Sequence, residues 1–188
     1  MLLSCSLDNT QTELIDTSRS ANTQYSINCI CNDIHGALCI AWCTNLPVPD
    51  FEIILTPGKN IFFANCTSGK KVMGCSAFAK TGSPDKWTYP STDGSSCECY
   101  ERNAANCYAS CASNITNYEI VTTNGTGLVT ANCTQPDNVV LGCGSKGTAL
   151  SKGTTLYPWR VSRVLSNTSC ICSDAYGTQC YAICGRFW

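Results

Sequence analysis

Charged side chains are scarce in this chain of 188 residues, where 12 Lys and Arg against 13 Asp and Glu give a net charge of −1. Binding to nucleic acid needs a clustered basic excess, so that class of function is excluded. Low charge combined with 44% hydrophobic residues argues against disorder. The longest apolar runs, around Ile53–Leu55 and Ile61–Ala64, are too short to span a bilayer. Because Met1–Leu3 is followed at once by Ser and Cys, we expect a mature protein or a fragment without a secretory leader.

Groups that carry catalysis are also scarce. The one histidine, His35, lies in the loop between Cys31 and Cys39, and no nucleophile motif accompanies it. The carboxylates are scattered, and the glycine-rich segment Gly142–Gly147 lacks the strand–turn–helix context of a phosphate loop. No C-x2-C pair is present, although zinc sites usually use one. We therefore predict a protein that is not an enzyme and that binds no metal and no cofactor.

Cysteine is the residue that this chain has in abundance, with 17 copies. Cytosolic reductants keep thiols reduced, so this number predicts a disulfide-bonded protein that is secreted or displayed at the cell surface. Five N-x-S/T sequons, which are candidates for N-glycosylation, point weakly the same way. They are Asn65, Asn114, Asn124, Asn132 and Asn167.

The cysteines form an internal repeat of three sets, and each set ends in the string C-x-C-x7-C-x3-C. The sets are Cys5, Cys29, Cys31, Cys39 and Cys43; then Cys66, Cys75, Cys97, Cys99, Cys107 and Cys111; then Cys133, Cys143, Cys170, Cys172, Cys180 and Cys184. The flanks agree, since Phe51–Ile53 matches Tyr118–Ile120 and Ala64–Thr67 matches Ala131–Thr134. The repeat predicts three tandem modules, at 1–46, 47–114 and 115–188.

The first module is incomplete at its N-terminus. It lacks the strand and the cysteine that Phe51–Cys66 and Tyr118–Cys133 supply to the other two, which makes the cysteine count odd. Two explanations stay open. Either truncation or cleavage shortened the module, or a neighbouring chain donates the strand, with or without the cysteine.

The secondary structure is predicted to be all-β. Short runs such as Phe51–Leu55 and Ile61–Ala64 are rich in β-branched and aromatic residues and are bounded by turn residues. Pro57-Gly58 and Asn124-Gly125 occupy matching places, so we expect each module to open with a hairpin. Two or three disulfides would stabilise each small core, and three such modules suggest pseudo-threefold packing or a linear stack.

These strings resemble a known family. Val129–Cys133, Val140–Cys143, Asn167–Cys170 and Tyr181–Arg186 resemble one module of the C-terminal Cys/His-rich domain of proprotein convertase subtilisin/kexin type nine, and Leu2–Ser6 is similar to the start of its first module. Resistin is similar to a single module. The C-terminal β domain of apicomplexan perforin-like proteins has the same logic of three β modules in tandem. The resemblance implies a non-enzymatic surface module that docks on a protein or a lipid bilayer.

The chain also departs from that family. The convertase domain is histidine-rich and its module ends in adjacent cysteines, whereas this chain has only His35 and ends each module in C-x3-C. The family's nested bridging would link the two cysteines of C-x-C here, which strand geometry makes strained. The resemblance therefore carries the three-module β architecture and leaves the disulfide connectivity open.

Aromatic residues are the candidates for binding. Trp87 and Tyr89 correspond in position to Tyr157 and Trp159, each pair lying ahead of a C-x-C. These rings either cap their own module's core or form exposed tips that anchor a surface.

Two functions follow from these features. The first is an extracellular recognition module that binds a protein, a glycan or a membrane surface. The alternative is a structural subunit of an extracellular filament or coat, in which a strand from a neighbouring chain completes the first module and the chain self-associates.

Overall fold

The computed structural model describes residues 2–8, 12–16, 27–31, 38–43, 48–79, 87–147 and 161–187. All regular structure in these ranges is β, which confirms the predicted fold class. The strands are β1 (Leu2–Asp8), β2 (Thr12–Asp16), β3 (Ile27–Cys31), β4 (Leu38–Cys43), β5 (Glu52–Asn65), β6 (Lys71–Ala79), β7 (Trp87–Pro90), β8 (Ser96–Ala112), β9 (Thr116–Asn132), β10 (Val139–Gly147), β11 (Val161–Ser166) and β12 (Ser169–Arg186). Within the described ranges, no helix has the length and apolar character needed to cross a membrane.

Ten strands form one antiparallel sheet with the path β4-β1-β11-β12-β10-β7-β8-β5, to which β6 adds on β8 and β9 adds on β12. Strands β2 and β3 pair separately. The long ladders lie within a sequence repeat, while strands of different repeats pair at single positions, Asp8 with Val161 and Ser145 with Thr88. The pairing thus follows the sequence repeat, and the number of independent modules stays a prediction.

A long central strand organises each of the two later repeats. Strand β8 pairs with β5 along most of its length, while β6 covers its second half and β7 covers its first half. Strand β12 is covered in the same way by β9, β10 and β11. The C-x-C and C-x3-C cysteines lie on these central strands and are buried, so they form the middle of two disulfide-rich cores.

The predicted opening hairpins are wrong. Strand β5 continues through Pro57-Gly58 and pairs with β8 on both sides, with a register shift between Gly58 and Asn60. Asn60 and Gly127, at matching positions of β5 and β9, both have left-handed backbone, with φ of 61° and 72°. Both apolar runs of β5 pair with one uninterrupted partner strand, so the turn residues do not reverse the chain. At the register shift β5 advances from Gly58 to Asn60 while β8 spans Glu101 to Ala105, so the extra residues of this irregularity lie on β8.

The second and third repeats meet through close backbone contact. A Cβ on Gly142 would lie 2.3 Å from the carbonyl oxygen of Met73, a separation that only glycine permits. Nearby, the Tyr118 hydroxyl of the third repeat donates to the carbonyl of Val72 in the second, at 3.0 Å. The two repeats are therefore packed against each other and are not merely joined by a linker.

Candidate functional site

Six disulfides hold the two later repeats, in the same order in each. The first cysteine bonds the last, the second bonds the third, and the fourth bonds the fifth. The pairs are Cys66–Cys111, Cys75–Cys97 and Cys99–Cys107 in the second repeat, and Cys133–Cys184, Cys143–Cys170 and Cys172–Cys180 in the third. The two cysteines of each C-x-C have different partners, as strand geometry requires. Disulfides in this number are typical of extracellular domains.

In the first repeat, Cys43 is free and exposed. The side chains of Cys5, Cys29, Cys31 and Cys39 lie outside the described part of the chain, although their strands are described. The odd count indicated one unpaired cysteine but not which. Alignment of the repeats identifies it, because Cys43 occupies the place of Cys111 and Cys184, which bond the cysteine that the first repeat lacks.

The strands that pair along most of the central strands, β5 and β9, are the outer strands of their repeats. A glutamate near the start of each outer strand fixes the loop that follows the strand. Glu52 accepts hydrogen bonds from the Thr67 N–H (2.8 Å) and hydroxyl (2.9 Å), and it pairs with the Lys70 ammonium at 2.9 Å. Burial raises the pKa of the Glu52 carboxyl, but the Thr67 and Lys70 hydrogen bonds outweigh burial, so its pKa lies below the ordinary value.

Glu119 does the same work in the third repeat without a lysine. It accepts from the Thr134 N–H and hydroxyl, the Gln135 N–H (3.0 Å) and the Asn138 amide (3.0 Å). These hydrogen bonds outweigh the opposing effect of burial, and the pKa of Glu119 is lowered. Sequence reasoning missed the role of both glutamates, although the match of Phe51–Ile53 with Tyr118–Ile120 was a signal for it.

The predicted aromatic anchors Trp87 and Tyr89 are buried, at 8% and 6% exposure. Trp87 stacks on Tyr100 with ring centroids 4.2 Å apart, and Tyr89 stacks on Tyr181 of the third repeat at 5.2 Å. The structure therefore favours the core interpretation for these two rings, since neither is an exposed tip. The corresponding Tyr157 and Trp159 lie outside the described residues, and the binding role of these two rings stays a prediction. His35 also lies outside the described residues.

Exposed apolar side chains include Leu128, Val139 and Leu165, and three more lie together on β5. Its core-facing positions include Phe62 and Ala64, while Leu55, Ile61 and Phe63 are 51%, 56% and 45% exposed. We call these three residues the β5 apolar stripe. Strand β5 is also an end strand of the sheet path, and within the described ranges only β8 pairs with it. A hydrophobic edge strand of this kind is a typical site for contact with another chain.

All five sequon asparagines are exposed, so folding would leave attached glycans room.

A metal site is not supported by the one cluster with suitable atoms in the described part of the chain. That cluster consists of Glu119, Cys133 and Cys184. Its two sulfurs are bonded to each other and so offer no thiolate ligand.

Comparison with known proteins found no match. No family model matches the chain, and no curated protein matches it. The resemblance to the convertase domain thus stays an expectation about fold and surface binding.

Proposed function

We propose that the chain is a non-enzymatic extracellular recognition domain that binds a partner protein through the β5 apolar stripe. The observation that carries the proposal is the exposure of Leu55, Ile61 and Phe63 on an end strand of a disulfide-stapled sheet. A scaffold cross-linked in this way loses little conformational entropy on binding, which favours recognition by a preformed surface.

The stripe favours a protein partner over a glycan or a lipid. Aliphatic side chains with a phenylalanine suit the apolar centre of a protein interface. The stripe contains no tryptophan or tyrosine, the residues that membrane interfaces favour. Its only basic neighbour on β5 is Lys59, too little for electrostatic attraction to anionic lipid.

The test replaces two of the three stripe residues with the threonines that the third repeat carries at the same positions. The variant Leu55→Thr/Phe63→Thr and the wild-type chain are cross-linked in extracellular fluid of the source organism, and the captured proteins are quantified by mass spectrometry. We expect a defined protein to be captured by the wild type and to fall more than about tenfold in the variant. A Thr122→Ser/Thr130→Ser variant of β9 is the matched control and should capture as the wild type does.

Two results would contradict the proposal. Equal capture by both chains would remove the stripe from the site. Stripe-dependent binding to phosphatidylcholine vesicles or to a glycan array, without a captured protein, would assign the surface to one of those ligands instead.

The second candidate function, assembly with other chains, is favoured by a separate observation, the free Cys43.

A further inference from the structure

Strands β1 and β4 repeat the geometry of the two later repeats residue for residue. Leu2 pairs with Cys43, as Val72 pairs with Cys111 and Val140 with Cys184. The register then shifts at the same place in all three pairs of strands. Strand β4 is therefore the counterpart of the second halves of β8 and β12.

The other side of this strand differs. In the later repeats the same cysteine also faces an outer strand, with Glu52 opposite Cys111 and Glu119 opposite Cys184. Strand β4 lies at the end of the sheet path, and among the described residues only β1 pairs with it. No described strand therefore covers this edge, which lies beside the exposed Cys43 thiol at the position where both sister repeats hold a strand and a disulfide.

The two outer strands specify what this edge would accept. Strands β5 and β9 share the pattern E-I-x2-T-x-G-x5-A-N-C-T, which runs from Glu52 to Thr67 and from Glu119 to Thr134. Four of the shared residues have a visible role. The glutamate fixes the final threonine, the alanine is fully buried opposite the first cysteine of C-x-C, and the cysteine bonds the central strand.

Neither copy of this pattern is available to β4. Both strands are paired along their length in their own repeats, and Cys66 and Cys133 are oxidised. The 188 residues contain no third copy, and a second folded chain would have none free either. The strand must therefore come from a different polypeptide or from outside these residues.

We propose that the open edge of β4 and the Cys43 thiol form an acceptor site for a cysteine-bearing β-strand of this pattern, supplied by a second polypeptide. Backbone pairing would give the affinity and the alternating side chains the specificity, as in strand addition. The disulfide then forms from two thiols, which lose two protons and two electrons. Glutathione disulfide takes these up and becomes two glutathione thiols. The site is distinct from the β5 apolar stripe, so it does not rest on the function proposed above.

The test uses a synthetic peptide with the sequence of residues 116–134, which contains one cysteine and the whole pattern. The full chain is incubated with it in a buffer of reduced and oxidised glutathione, and the adduct is mapped by mass spectrometry. We expect a disulfide between the peptide and Cys43, formed at least about tenfold faster than with a scrambled peptide that keeps the cysteine in place, because pairing raises the local thiol concentration. The Cys43→Ser chain should form no adduct.

A second measurement separates pairing from thiol reactivity. The Cys133→Ser peptide should still bind the Cys43→Ser chain and slow hydrogen exchange of the β4 amides, Leu38–Cys43. Equal adduct rates for the native and scrambled peptides would show an exposed thiol without an acceptor site. A Cys43–Cys43 dimer that excludes the peptide would assign the edge to a second copy. A natural bond from Cys43 to a cysteine of its own longer chain would overturn supply by another polypeptide.

Discussion

The second and third repeats are built on one frame and differ at its surface. Their outer strands align without a gap at a constant offset, so that Glu52, Gly58 and Cys66 correspond to Glu119, Gly125 and Cys133. These shared residues carry the loop brace, border the register shift and form the disulfide. Comparison of the second and third repeats thus indicates which residues the fold requires.

Two outward-facing positions of the same strands are not shared, whereas Ile61 and its counterpart Leu128 are both exposed and apolar. Leu55 and Phe63 of β5 correspond to Thr122 and Thr130 of β9. The frame tolerates either pair, so Leu55 and Phe63 are not needed for folding and are free to serve binding.

Removing the bond that ties the outer strand to the central strand should cost both repeats equally. We expect Cys66→Ala/Cys111→Ala and Cys133→Ala/Cys184→Ala each to lower the free energy of unfolding by about 4 kcal/mol. The closed loops span 45 and 51 residues, and loop length enters only as a logarithm. Urea denaturation of the two double variants tests this. Losses that differ by more than about 2 kcal/mol would show that the two frames are not equivalent.

The contact between the repeats is tested at glycine. In Gly142→Ala the new Cβ would meet the Met73 carbonyl oxygen, which is backbone and cannot swing aside, so we expect a loss of about 2–3 kcal/mol. Gly127→Ala is the matched control. Its φ is 72° and nothing lies within 4 Å, so only backbone strain of about 1 kcal/mol applies. Equal losses in thermal denaturation would mean that the repeats do not press together at Gly142.

The stability that the two loop-bracing glutamates, Glu52 and Glu119, contribute should depend on pH. The pKa of each is lowered in the folded state, so each stabilises the fold above the unfolded pKa of about 4.3, and this stability is lost as the pH falls through the folded pKa. We expect Glu52→Gln and Glu119→Gln each to cost of order 1 kcal/mol near pH 7 and much less near pH 3.

Only Glu52 has a cationic partner, the Lys70 ammonium. The cost of Glu52→Gln should therefore shrink in about 1 M salt, whereas that of Glu119→Gln should not. Urea denaturation across pH and salt measures both effects. A salt response at Glu119 equal to that at Glu52 would contradict the assignment of its brace to neutral donors.

Much of this frame could be predicted from the sequence, because cysteine spacing and strand composition are local signals. The all-β class and the separate partners of the C-x-C cysteines followed from them. The course of β5 through Pro57-Gly58 did not, since the same turn dipeptide can lie in a hairpin or in a continuous strand with a register shift, and the partner strand decides between them. The burial of Trp87 and Tyr89 was also undetermined, because Tyr89 is covered by Tyr181, which is distant in sequence.

The smallest effect on stability should accompany the largest effect on binding. Moving these two residues to the third repeat with Thr122→Leu/Thr130→Phe, in the chain that carries Leu55→Thr/Phe63→Thr, exchanges two pairs of surface side chains, of which only Thr130 is partly buried. We expect the free energy of unfolding to change by less than about 0.5 kcal/mol. If the β5 apolar stripe is the binding surface, capture of the partner protein should return with the graft, because the frame beneath β9 presents the same positions. A stable graft that captures nothing would show that binding also needs the free edge or the neighbours of β5, and would confine the interface to the second repeat.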